Sequence, residues 1–211
     1  TEPVAKEIFE EMPVEGETNF ADEDLPSSEE LFAGYVEQQF YGEIKSANGI
    51  PAVYGTAAGA RLTGNDKIIY DAMVPYIKQL ANGTRTKATI SVGQSVSYQG
   101  TNYIPDVQAT FSGTTVNHRK IVMALLIDMP FECYWFDKTT GWAPFGLNNR
   151  NTGNCAYYEI SFTVTKAYRG SSAYYTNATT TKAAANSAAN AKNVVANYAS
   201  YSDYDKLLAY K

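Results

Sequence analysis

Residues 156–165 read Ala156-Tyr157-Tyr158-Glu159-Ile160-Ser161-Phe162-Thr163-Val164-Thr165. Ala156, Tyr158, Ile160, Phe162 and Val164 alternate with Tyr157, Glu159, Ser161, Thr163 and Thr165. That period of two is the pattern of a strand with two unlike faces. It is the strongest strand signal in the chain. Upstream, Ala88, Ile90 and Val92 alternate with Thr89 and Ser91, which predicts a half-buried strand broken at Gly93 and resumed at Val96 and Tyr98. Gly100-Thr101-Asn102 reads as a turn before Tyr103, Ile104 and Val107. Phe131 to Phe136 reads as a further strand. Residues 138–153 are rich in Gly and Asn and read as loop.

Helices flank these strands. Thr63 to Asp66 fits a capping box. Ile69, Ala72, Met73, Tyr76, Ile77 and Leu80 then recur at steps of three and four, the spacing of one buried helical face. Asn82-Gly83 closes that helix, and Pro75 falls inside it. Val116 through Leu126 predicts a short helix stopped by Pro130. Ser27 or Ser28 caps a predicted helix at 29–42, with Leu31, Phe32, Tyr35, Val36, Gln39 and Phe40 on one stripe. Residues 45–60, with Gly49, Pro51, Gly55 and Gly59, read as a surface loop. Residues 179–199 are Ala-rich, and alanine has the highest helix propensity. Ala184, Ala188, Ala191, Val195 and Tyr198 share one face, small enough for close packing. Ser202 to Asp205 opens a second capping box.

This order of elements predicts an α+β fold, a small antiparallel sheet packed with several helices and preceded by an acidic leader. The boundaries follow. Residues 1–27 form an acidic linker, 28–178 an α+β domain, and 179–211 a helical segment. The chain has 211 residues, 45% hydrophobic and 18% charged, which is globular. No apolar run is long enough for a membrane span; the stretch from Ile121 to Ile127 is closed by Asp128.

The net charge of −5 is unevenly spread. Residues 1–30 hold eleven acids against Lys6 alone, so the remainder carries sixteen bases and eleven acids. An acidic leader repels phosphate backbones, and no dense basic stripe interleaves with aromatics, which argues against nucleic-acid binding. With one His and two Cys in the chain, no Cys/His set has zinc-ligand spacing. The reading therefore assigns no metal and no cofactor.

Few groups invite catalytic chemistry. His118, with Cys133 or Cys155 and with Asp128 or Asp137, spells the letters of a nucleophilic triad. Against it, both cysteines fall in predicted strand segments, and neither begins a helix, where the dipole would lower a thiol pKa. His118 alone reads as a helix-start residue, and Asp128 with Glu132 as a helix end and a strand start. Cys133 and Cys155 either pair across neighbouring strands or stay as two buried thiols. Tyr134, Trp135, Trp142, Tyr157, Tyr158, Tyr174 and Tyr175 read as core and sheet face, or as a sugar- or peptide-binding surface. Residue types and spacing thus assign no catalytic residue.

Several segments taken in order carry a resemblance. They are Glu30-Leu31-Phe32-Ala33-Gly34-Tyr35-Val36, then Leu62-Thr63 through Ile69-Tyr70-Asp71 to Ile77, Ala81, Asn82 and Gly83. Ala124-Leu125-Leu126-Ile127-Asp128-Met129-Pro130 and Tyr134-Trp135-Phe136-Asp137-Lys138 follow. The last are Ser202-Asp203-Tyr204-Asp205-Lys206-Leu207 and Tyr210-Lys211. This order resembles the region preceding the catalytic core in secreted transglutaminase-like proteins of Gram-positive bacteria, and it covers most of residues 29–211. In that family the nucleophilic Cys opens a helix beyond the last of these segments, and His and Asp follow it. No position here matches those three, so none is assigned a catalytic role.

The resemblance implies a non-catalytic N-terminal domain of an extracellular or cell-surface protein. Its partner would be the downstream, papain-like catalytic domain of the same polypeptide, or a protein or glycan at the cell surface. That core would act on a glutamine amide or a peptide bond through a thioester. The start at Thr1, with no initiator Met or signal peptide, fits a processed, designed or proteolytically cut chain. The stop at Lys211, early in a predicted helix, suggests that the whole protein is longer. The alternative is a self-standing extracellular module that binds glycan or peptide through exposed Tyr and Trp.

Overall fold

A computed structural model describes residues 9–11, 58–197 and 200–202. Strand β1 is Phe9–Glu11. A 3-10 turn at Gly59–Arg61 leads into α1, Gly64–Ala81. Next come β2 (Thr89–Gly93), β3 (Val96–Tyr98), β4 (Thr101–Tyr103) and β5 (Val107–Gln108). Helix α2 spans His118–Asp128, β6 Trp142–Asn149, β7 Asn154–Phe162 and α3 Ala178–Asn197. The fold is α+β. Its main sheet has the order β1-β6-β7-β2-β5, and β3 and β4 form a separate hairpin.

The sheet is mixed rather than wholly antiparallel, as the alternation alone suggested. β2 lies antiparallel to β7 but parallel to β5. The excursion through β3 and β4 turns the chain round, so β5 returns in the direction of β2. The period of two reports faces and carries no information about strand direction.

One sheet face packs on α1 and α2. Ile69, Met73, Ile77 and Leu80 from α1 meet Ile90 and Val92 from β2, and Tyr158, Ile160 and Phe162 from β7. The helical stripe in the sequence is therefore the buried stripe. Pro75 does not interrupt α1. It and Asp71, the residue four places earlier whose carbonyl loses a donor, both lie on the exposed side. The capping box fails in detail. Thr63 makes no side-chain cap, and Asp66 instead accepts from the Asn117 backbone N–H at 2.7 Å, tying α1 to the start of α2.

Three local expectations are corrected. Phe131 to Trp135 is a series of turns, with Cys133 N donating to Met129 O at 3.1 Å and Phe136 N to Cys133 O at 3.1 Å, and Phe136 alone makes an antiparallel bridge, to Val164. The curl buries Cys133, Trp135 and Phe136 and leaves Phe131 exposed, so a short aromatic run serves a core turn as well as a strand. Residues 138–153 are not a loop throughout, because Trp142–Asn149 is a full strand. The Gly and Asn residues mark its ends, where Asn149 Oδ1 accepts from Asn151 and Thr152. Finally, β2 is buried at all five positions rather than on one face. Thr89 Oγ1 bonds to Ser161 Oγ at 2.8 Å, and Asp106 covers Ser91.

Gly93 makes this packing possible. Its φ is +134°, and a Cβ there would sit 2.3 Å from the Ala156 carbonyl oxygen. Within the acidic leader, Phe9–Glu11 pairs with Leu147–Asn149 at the edge of the sheet, so these three residues are not linker. Among the described residues, α3 docks only by its beginning. Thr181 is buried and Ala184 half-buried, whereas Ala188 and Ala191 are exposed. The alanine stripe does not pack against the described domain along its length. The predicted helix at 29–42, the predicted loop over 45–57 and the capping box completed by Asp205 lie outside the described residues.

Candidate functional site

The chain's nucleophile-type groups lie apart from one another. Cys133 sits in the turns that follow α2, and Cys155 near the start of β7. Both are free thiols, each 3% exposed. Burial pushes each thiol up to about 12, against an ordinary value of 9.0. Cys155 Sγ donates to the Tyr157 carbonyl at 3.7 Å. The two are not bridged, because Cys133 lies in a curled segment and not on the strand next to β7.

His118 belongs to a different place. It is the first residue of α2, and Trp142 Nε1 donates to its Nδ1 at 3.0 Å. That bond puts the imidazole proton on Nε2. Burial and the Arg119 guanidinium lower the His118 pKa below 6.5, partly opposed by Asp66. Cys133 follows the opposite end of α2, an eleven-residue helix about 16 Å long. Cys155 is seven positions along β7 from Phe162, the partner of Trp142, or about 23 Å of strand. Among the described residues, neither sulfur is hydrogen-bonded to His118.

The carboxylates have structural partners. Asp128 is 4% exposed and accepts from Ala58 N at 3.0 Å, Gly59 N at 2.8 Å and Tyr70 Oη at 2.6 Å. It clasps the chain where it enters the 3-10 turn. Asp137 accepts from the backbone and hydroxyls of Thr139 and Thr140, which hold its carboxyl below the usual range. Glu132 is half-buried in the turn beside Cys133. No set of three His, Cys, Asp or Glu residues that could hold a metal occurs among the described residues.

The aromatic residues divide between interior and surface. Trp135, Tyr157 and Tyr158 are buried, Tyr134 and Trp142 half-buried, and only Tyr174 and Tyr175 exposed. They do not make one exposed patch. A different aromatic group emerges on the sheet face away from the helices. There Val96 of the β3–β4 hairpin packs with Leu147, Ala156 and Tyr157, and Phe9, Tyr98, Tyr103 and Phe145 surround them. Tyr103 stacks on Phe145 with centroids 5.3 Å apart and planes at 23°, and meets Tyr157 edge-on at 5.4 Å.

Polar groups border this cluster. Tyr157 Oη donates to Glu159 Oε2 at 2.6 Å. Asp106 accepts from Ser91 N, Ser91 Oγ and Arg85, and the Arg85 guanidinium lies over the Tyr76 ring at 4.6 Å. Half-exposed rings beside a carboxylate offer apolar contact together with hydrogen-bond acceptance. This is the best candidate interaction surface of the described domain. Sequence reading missed Tyr103, Phe145, Asp106 and Arg85. The aromatic content of 98–103 was the available signal, but only the hairpin's return over the sheet gives it meaning.

No protein-family model, curated protein or solved structure matches this chain. No helix among the described residues is long and apolar enough to cross a membrane.

Proposed function

We propose that this chain is a non-catalytic N-terminal domain of an extracellular, transglutaminase-like surface protein, and that it positions a papain-like core or that core's protein substrate. One observation carries the reading: both thiols are closed in the core with their pKa pushed up to about 12, away from the only imidazole. A cysteine nucleophile needs the reverse, an accessible thiol with a lowered pKa beside a base. The resemblance in segment order supports the family, the missing triad and the cell-surface location alike. In such a protein, the thioester chemistry on a glutamine amide or peptide bond belongs to the core.

The test is the intact mass of the protein from its native cells, with peptide mapping. The expected result is a mass well above 23.1 kDa and peptides running past Lys211 into a segment bearing Cys, His and Asp. A mature chain near 23.1 kDa would overturn the assignment.

The Tyr103–Phe145 stack favours a second reading, a self-standing module that binds glycan or peptide. Its ligand would lie across the half-exposed rings near Glu159. Amide shifts confined to β4, β6 and β7 on titration with cell-wall glycan fragments would support it. Unchanged spectra would remove the glycan-binding reading.

A further inference from the structure

The hydrogen bond between Trp142 and His118 joins the first turn of α2 to the first residue of β6. The two rings meet at 70° with centroids 6.1 Å apart. The indole N–H can only donate, so the bond requires an unprotonated Nδ1. A protonated imidazole donates from both nitrogens, and two donors would then face each other across 3.0 Å. We propose that the His118–Trp142 pair is an acid-opened latch between α2 and the start of β6.

The surroundings set its direction. From its own helix, His118 faces Arg119, and a positive charge at a helix N-terminus is unfavourable. From α1 it faces Asp66, which favours the charged form but already accepts from Asn117 N. From β6 it faces Trp142, which does not titrate. Burial adds to the Arg119 effect, so the latch is closed at neutral pH and opens below 6.5. Opening removes this acceptor from the half-buried indole N–H and uncouples the first turn of α2 from Trp142, which stays paired with Phe162 of β7. The device uses the only His in the chain, so no other imidazole titrates with it.

The test follows the two indole N–H signals of the whole protein by NMR from about pH 8 to about pH 4.5. The Trp142 signal is assigned by its loss in W142F. Its expected behaviour is an upfield shift with a midpoint below 6.5, while the Trp135 signal stays in place and reports an intact core. In H118N the amide oxygen replaces Nδ1 as a non-titrating acceptor, and the shift disappears. A Trp142 signal that ignores pH, or one that moves equally in H118N, overturns the latch. So does simultaneous collapse of both signals onto unfolded positions, which would report loss of the whole fold.

Discussion

Tyr70 and Asp128 meet inside the core, the phenol donating to carboxylate Oδ2 at 2.6 Å between the middle of α1 and the last residue of α2. The same oxygen takes Gly59 N at 2.8 Å. A buried carboxylate is tolerated only when its lone pairs are filled. Helix packing and the entry of the chain at Ala58 therefore depend on one side chain.

This dependence predicts graded losses. Tyr70→Phe removes one donor and lowers stability by about 1–3 kcal/mol. Asp128→Ala leaves two backbone N–H groups and a phenol unpaired, so it costs more than Tyr70→Phe. Urea unfolding midpoints measure both. Equal effects would mean that the backbone donors contribute nothing.

The thiols predict chemical silence. In the folded protein, Cys133 and Cys155 resist a thiol reagent at pH 8, and both react once the chain is unfolded. Alkylation with and without denaturant, read by mass, checks this. Rapid native labelling at either site would contradict the burial.

Alkaline pH gives a related test. Each folded thiol keeps its proton up to about 12, whereas the unfolded thiol loses it near 9.0. The folded state thus holds more protons between those values, and stability falls as pH rises through that window. The slope is about 1.4 kcal/mol per pH unit for each thiol. Cys133→Ala should flatten it, which denaturation midpoints at a series of pH values would show.

Gly93→Ala tests the contact between β2 and β7. The added Cβ meets the Ala156 carbonyl at 2.3 Å, and φ is +134°, so strain and clash act together. A loss of about 3 kcal/mol or more is expected. Gly100→Ala has open space at a positive φ of +78°, nearer the left-handed region, and should cost only its own, smaller strain. Thermal unfolding of the two variants checks the order, with Gly93→Ala expected to lose more.

Asp106 provides a test on the outer face. Asp106→Ala removes the acceptor of Ser91 N, Ser91 Oγ and Arg85 and should cost about 2–3 kcal/mol. Asp106→Asn keeps an acceptor and should lose about half as much. Chemical denaturation of both variants decides it.

The sequence showed α1 because Ile69, Met73, Ile77 and Leu80 write their buried face at helical spacing, and β7 because its two faces differ chemically. It hid β6, where Pro144 and Gly146 are poor strand formers and pairing with β7 creates the strand. The turns at 131–135 stayed hidden because a short aromatic run fits a strand and a curled segment alike, and its spacing does not decide between them. The candidate surface and the Asp128 clasp were hidden for one reason. Their partners stand far apart in the chain: Tyr103 meets Phe145, and Asp128 meets Gly59. Local pattern does not encode such contacts.

Among the described residues, helix α3 is held at one end. Thr181 is buried, Tyr134 Oη donates to its carbonyl at 3.2 Å, and a Cβ on Gly83 would lie 2.7 Å from the Ala178 carbonyl oxygen. Beyond Ala185 every described side chain of the helix is exposed. Mechanically this is a cantilever. From Thr181 to Asn197 it extends about 24 Å at 1.5 Å per residue. A tilt of about 10° at the clamp therefore swings its free end by about 4 Å. One extra methyl at Gly83 would be felt as leverage at the far tip, where the helix itself has not changed.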